Sequence, residues 1–323
     1  MALLNPPEVM PDVVRMLVES VARDGPTHSD QLIAQVSPGI VGGEDSLPVK
    51  ASLAAARVLG FLVDHDGKVV ANDNIAAMMQ ATGTLRPAWP RILAVAVANH
   101  ETFPDAVTTS LGEDRDTLGV KDLAYALTWL LAQDRYALPL HWSASGGRRS
   151  VQDLQAEQFG SGESQRLTYP LINDTRWNTV QRWAIAMELA TPAPAGRDSG
   201  VGALVPDPSR QVLRVVTRAR ERGELPEVSP VLEVCDLIAK HMPFLWRGHL
   251  RTALVEHLGT DPDPGVAANG VDTGVASALL YLQARKLIVI NDHADAAFRT
   301  VLDAGGDGRI GVSHIRFSTE MPT

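Results

Sequence analysis

The segment Phe61-Leu62-Val63-Asp64-His65-Asp66-Gly67-Lys68-Val69-Val70-Ala71 decides the fold. It sets two short apolar runs on either side of an Asp-Gly pair, and that pair accepts the left-handed backbone a two-residue hairpin turn requires. Upstream, Pro48 sits where a first helical turn tolerates proline, and a helix over 48–62 carries Leu53, Ala56, Leu59 and Gly60. A polar, glycine-rich loop covers Gly39 to Asp45. Before it, Asp30 to Val36 reads as a short helix with Leu32, Ile33 and Val36 on one face and Thr27 or Ser29 as its cap. Val13 to Ala22 is an apolar helical segment that Asp24-Gly25-Pro26 stops. Three short helices followed by a hairpin is the element order of a winged helix.

The same order recurs near the C-terminus. Ser229 opens a helix over Pro230 to His241, a second runs from Trp246 to Leu258 before Gly259, and Asp272 or Thr273 caps a third over Thr273 to Ala284. Leu287-Ile288-Val289-Ile290 follows as a strand, with Ile310 to Phe317 as its partner and a short helix, Ala294 to Leu302, between them. In the middle, helices are expected at about 88–101, 120–133, 175–190 and 209–222. Ser143 to Ser164 reads as a long polar loop around one short helix, and Pro192 to Gly202 as a linker rich in proline and glycine. The expected fold is therefore mainly α: tandem winged-helix-like modules flanking a helical middle region, with short β-hairpin wings. Its domains are a winged-helix-like domain at 1–83, a helical middle domain at 84–200, and a linker helix plus a second winged-helix-like domain at 201–323.

Composition fits a globular chain of 323 residues, with 45% hydrophobic and 21% charged residues, so burial can offset the entropy of ordering. One cysteine, Cys235, cannot form an intrachain disulfide, and a lone thiol suits a reducing compartment. The opening residues Met1 to Glu8 lack a basic n-region, and the apolar runs Ile92 to Ala98 and Ala278 to Leu282 are too short to span a bilayer. A cytoplasmic protein without a membrane anchor is expected.

The net charge of −9 is unevenly spread. Residues 1–83 hold 5 basic and 10 acidic groups, and residues 229–323 hold 8 and 11. Between Arg166 and Arg222, 9 arginines face 5 acids, a local excess of +4. A polyanion contact belongs there, whereas the global balance opposes tight, sequence-independent nucleic-acid binding.

Motifs for catalysis are missing. Gly306-Asp307-Gly308-Arg309-Ile310-Gly311 spells a dinucleotide-binding pattern, but no helix follows to meet a pyrophosphate. Asp303 to Ile310 resembles a calcium loop with Gly305 and His314 where ligands belong, so a turn accounts for it better. His249 and His257 stand two helical turns apart, and no Cys-x-x-Cys, His-Glu-x-x-His or His-x-His pair occurs. There is no Gly-Lys-Ser/Thr phosphate cradle and no Gly-x-Ser-x-Gly elbow. Neither a metal nor a cofactor is expected, and an enzyme of unrecognised type is the least supported reading.

The densest unusual segment is Asn173 to Trp183. Trp177 and Trp183 suit core anchors, while Arg176 and Arg182 suit either internal ion pairs or a polyanion. Arg210, Arg214 and Arg218 recur every fourth residue and make a positive stripe along one helix, with Arg220 and Arg222 nearby and only Glu221 on the helix to answer them. In a winged helix the third helix normally meets the major groove and the wing a phosphate backbone. That adds Lys50, Ser52 and Arg57, with Lys68 on the wing, from the first module, and Ser277, Arg285 and Lys286 from the second.

Leu3-Leu4-Asn5-Pro6-Pro7, the helix Asn173 to Trp183, and Val205-Pro206-Asp207-Pro208 resemble, in the same order, the DpdG proteins. Those are encoded in bacterial clusters that insert 7-deazaguanine bases into DNA and restrict DNA lacking them. The resemblance implies a place in the restriction arm of an anti-phage system, beside helicase, ATPase or nuclease partners, and transfers no catalytic residue. Two roles follow: a non-catalytic subunit that touches DNA, or an assembly scaffold that uses the same folds for protein contact, which the acidic first module favours. Purified alone, the chain is expected neither to hydrolyse ATP nor to cut DNA with magnesium. Reproducible turnover abolished by one point substitution would overturn that expectation.

Overall fold

The computed structural model describes residues 3–4, 8–37, 47–98, 119–136, 139–143, 149–162, 168–193, 203–267, 270–293, 300–303 and 308–318. The chain divides into two compact units, Met1–Ala124 with Leu171–Met187, and Tyr125–Pro170 with Glu188–Thr323. It is mainly helical, with a few short antiparallel hairpins.

In the first unit, helices Pro11–Asp24, Ser29–Val36 and Leu47–Val58 precede the hairpin Leu62–His65 and Lys68–Ala71. Asp66 and Gly67 both take positive φ, 50° and 73°, as a tight I′ turn needs, and they fix the register Leu62↔Ala71 through His65↔Lys68. Thr27 adds a bridge to Val69, so the last strand lies between an early strand position and the strand that follows the third helix. Val14, Leu17, Val18 and Val21 of Pro11–Asp24 pack on Leu47–Val58, whose Leu53 and Ala56 are buried. The hairpin starts later and the third helix ends earlier than the sequence suggests, because Gly60, at φ 73°, breaks the helix. Neither Thr27 nor Ser29 caps Ser29–Val36; its N-cap is His28. Two further helices complete this end of the unit, Asp73–Thr82, capped by Asn72, and Trp89–Ala98. The expected loop at 39–45 and the end of the 88–101 helix lie outside the described residues.

Asp122, fully buried, accepts the N–H groups of Leu3 at 3.1 Å and Leu4 at 2.9 Å and so holds the start of the chain in the core of this unit. Burial pushes its carboxyl up to about 6, against the pull of those N–H groups and of Arg176. Helix Asp174–Ala186, capped by Asn173, buries Trp177 and Trp183 completely, while Ile185 is exposed.

In the second unit, helix Ser209–Glu221 is followed by strand Val228–Pro230, helices Val231–His241, His249–Leu258 and Thr273–Ala284, and strands Ile288–Asn291 and His314–Phe317. His314–Phe317 is central, antiparallel both to Val228–Pro230 and to Ile288–Asn291. As in the first unit, the last strand runs between an early strand and the one after the helices. The helix that opens this arrangement is Ser209–Glu221, which packs along Thr273–Ala284 as Pro11–Asp24 packs along Leu47–Val58.

Thr300–Asp303, placed at the end of a short helix by the sequence, is a strand paired with Arg309–Val312; 294–299 lie outside the described residues. The single strand expected over 310–317 is thus two, divided at Ser313, whose N–H bonds to Asn291 C=O. Helix 246–258 begins at His249, because Arg247 takes φ 69°. Ser229 does not cap the Val231–His241 helix; its hydroxyl donates to Pro226 C=O at 3.2 Å. Asp272 does cap Thr273–Ala284, accepting from Val275 N–H at 2.9 Å. Pro192 and Ala193, read as the start of a linker over 192–202, belong instead to strand Ala190–Ala193, which pairs antiparallel with Ala203–Pro206 within a small sheet that includes Leu140–His141 and Arg149–Ser150; 194–202 lie outside the described residues.

Replacing Asp122 with alanine strips a buried acceptor from Leu4 N–H and one of two acceptors from Leu3 N–H, which also bonds to Gly119 C=O. The expected loss is about 1–3 kcal/mol in urea unfolding. A change below about 0.5 kcal/mol would show that the anchor carries no stability.

Candidate nucleic-acid interface

The helix Ser209–Glu221 begins after Asp207-Pro208: Asp207 accepts from Ser209 N–H at 3.1 Å, and Pro208 C=O accepts from Val212 N–H at 2.9 Å. Its inner face buries Gln211, Val212, Val216, Thr217 and Ala219. Arg210 and Arg214 fall on the opposite side, Arg218 lies nearer the flank and Arg222 is the C-cap just past the helix, successive arginines standing one helical turn and about 6 Å apart along the axis. Arg218 and Arg220 lie in the last turn, where cations suit the helix dipole. Arg220 leaves the row, donating to Leu225 C=O and lying 5.5 Å over the Phe317 ring.

The row is not free of carboxylates. Glu188, 22 residues before Arg210, pairs with Arg214 and lies 3.7 Å from Arg210. Glu224 lies 3.7 Å from Arg222. Arg210 remains 70% exposed and Arg222 61% exposed. Arg218, half-buried, has no ion-pair partner among the described residues. The internal counter-ions thus come from chain segments that a helical repeat cannot reveal.

The remaining candidates are scattered. Lys50 and Lys68 are exposed. Ser52 is fully buried, its hydroxyl accepting from Met10 N–H at 3.1 Å. Arg57 donates to Ser29 at 2.9 Å and to Asp64 at 2.7 Å. Arg176 is buried beside Asp122. Arg182 donates to Asn178 C=O and to the Met10 sulfur, and partial burial lowers its guanidinium, offset by Glu8. Ser277 is buried and donates to Gly274 C=O at 3.2 Å. Arg285 donates to the Tyr281 hydroxyl and lies 5.7 Å over its ring, beside exposed Lys286. Only the arginine row gathers several of these candidates on one surface.

A polar cluster that the sequence did not reveal lies in the core of the second unit. Arg251, 2% exposed, pairs with Asp261 and lies 3.7 Å from Asp272. Asp263 accepts from Thr273 N–H at 3.0 Å, from the Thr273 hydroxyl at 2.6 Å and from Gly265 N–H at 2.7 Å. Arg251 Nη1 and Asp272 Oδ2 have no hydrogen-bond partner. Three carboxylates around one guanidinium leave excess negative charge. Burial, then the charge of Asp263, push the Asp272 carboxyl up to about 7, with Arg251 pulling it down. Among the described residues, no group of three or more His, Cys, Asp or Glu could hold a metal ion, and no helix is long and apolar enough to cross a membrane.

These features define a mainly helical protein with short antiparallel hairpins, two helix-and-hairpin units, and an arginine-lined outer helix. Over residues 1–296 the chain matches the DpdG-like family model, and it belongs to that family. Neither a curated protein nor a solved structure matches it. All three segments that carry the family resemblance are structural in part: Leu3 and Leu4 bond to Asp122, Asn173 caps a helix, and Asp207 pairs with Arg135 while holding Ser209 N–H.

A carboxyl raised on folding favours the folded state when protonated, so its contribution is full below about pH 4 and is lost as pH rises through about 7 for Asp272. Asp272→Asn keeps an N-capping oxygen for Val275 N–H and removes the proton equilibrium. Thermal unfolding followed from pH 4 to 8 should show a downward slope in the wild type that is shallower in the variant. Parallel profiles would assign the slope to other groups.

Proposed function

We propose that this chain is a non-catalytic, DNA-associated subunit of a bacterial anti-phage restriction complex, acting in the cytoplasm beside helicase, ATPase or nuclease partners. Membership of the DpdG-like family supports the setting, and the row Arg210, Arg214, Arg218 and Arg222, exposed at Arg210 and Arg222, supports the DNA contact. A winged-helix reading of both units draws support from a shared arrangement, in which a long opening helix packs on the helix that leads into the later strands and the last strand is central, although the second unit has the additional helix His249–Leu258. A phosphate backbone fits the row better than base edges do. The row offers arginines at about 6 Å intervals, and Thr273–Ala284, in the position that reads bases in many winged helices, carries no charge and is buried along most of its length.

The alternative, a protein-binding adaptor, is favoured by one observation in the first unit. There Ser52 is buried, Arg57 is paired, and Leu47 and Val63 stand 51% and 46% exposed around the third helix and wing. Such a surface suits protein better than phosphate.

Replacing Arg210, Arg214 and Arg218 together by glutamine should weaken duplex binding and flatten its salt dependence by up to about three charge units. Unchanged affinity and slope in a folded triple variant would rule the row out. Absence of wild-type binding at roughly 50 mM salt would leave the adaptor reading.

A further inference from the structure

We infer that Glu188 is a built-in competitor for the arginine row, a carboxylate that occupies in the free protein the place a DNA phosphate takes on binding. The inference rests on the DNA reading of this row and adds its regulation. Glu188 reaches two arginines of the row at once, Arg214 directly and Arg210 at 3.7 Å. It comes from outside the helix, so its removal leaves the buried face of Val212, Val216 and Ala219 untouched.

Its backbone is the second, independent observation. Glu188 has φ 53°, in the left-handed region that costs any residue with a Cβ and where glycine is usual. Glycine would meet the backbone requirement without strain. Glu188 follows the C-cap Met187 of Asp174–Ala186 in the left-handed conformation that commonly ends a helix, as Lys286 does after Thr273–Ala284, and this turn fixes the point from which its carboxylate reaches the row. The flanking chain is held firmly: Leu189 is fully buried and its C=O accepts from Asp207 N–H at 2.8 Å. The carboxylate itself is 21% exposed and Arg210 is 70% exposed, so a phosphate has access to the pair. Exchange of one anion for another keeps both guanidiniums paired, while the glutamate subtracts from the net attraction that DNA feels. The same competition favours strands of high charge density over isolated anions, because a phosphate backbone engages Arg210, Arg214 and Arg218 together whereas a single ion replaces one carboxylate.

Two variants separate this role from that of a structural pin. Glu188→Gln keeps the side-chain length and the backbone constraint while removing the charge; Glu188→Gly removes the side chain and relieves the backbone. Fluorescence anisotropy with a labelled duplex at roughly 50 mM salt and above should show both variants binding about two- to fivefold more tightly than wild type, the worth of one displaced surface ion pair. Their salt slopes should be steeper by about one to two units. A wild type that binds DNA while both variants bind equally or more weakly overturns the competitor role and leaves the DNA reading standing. If wild type and both variants all fail to bind, the DNA reading falls and the competitor role falls with it.

Discussion

The packing of Ser209–Glu221 along Thr273–Ala284 is the contact on which the placement of the arginine row depends. Thr273–Ala284 is uncharged and buried on most of its circumference, so the helix laid along it must turn an apolar side inward. Val212, Val216 and Ala219 supply that side, and the 3.6-residue period then turns Arg210 and Arg214 outward and leaves Arg218 half-buried toward the flank. The register is held at the start by Asp207, which bonds to Ser209 N–H and pairs with Arg135. A polar substitution on the inner face would therefore act on the arginine row without touching an arginine.

Buried carboxylates serve as fixing points in both units. Asp122 holds Leu3 and Leu4, Asp263 holds Thr273 and Gly265, and Asp272 caps the helix that supports the arginine row. Each uses backbone N–H groups as its principal partners, which is how an acid is accommodated in a core. The cost is visible in the raised carboxyls of Asp122, Asp263 and Asp272. Exposed charge works differently. Glu188 and Glu224 answer arginines at the surface, so the net attraction of the row is smaller than its count of arginines implies.

Local signals were legible in the sequence. The Asp66-Gly67 turn, the Asp272 cap and the span of Thr273–Ala284 are set by neighbours within a few residues, and periodicity alone placed the arginines on one side of a helix. What depends on distant partners was not legible. Nothing near Arg210 points to Glu188, and nothing near Arg251 points to Asp261, Asp263 and Asp272 meeting around it. The four-stranded sheet was hidden because its strands are two to four residues long and include Pro192 and Pro206. Thr300–Asp303 was misread because an alanine-rich stretch precedes it, whereas pairing with Arg309–Val312 decides its conformation. Ser52, Arg176 and Ser277 carry polar labels in the sequence but are buried in the fold, a distinction that only packing makes.

On the proposed function, DNA meets the outer row of Ser209–Glu221 and not the third helix and wing of the first unit. Residue-specific footprinting tests it: arginines are modified with phenylglyoxal and lysines with an acylating reagent, with and without duplex DNA, and sites are read by mass spectrometry. DNA should then protect Arg210 and Arg218 while Lys50 and Lys68 stay as reactive as in the free protein. Protection of Lys50 and Lys68 with Arg210 and Arg218 unaffected would contradict it.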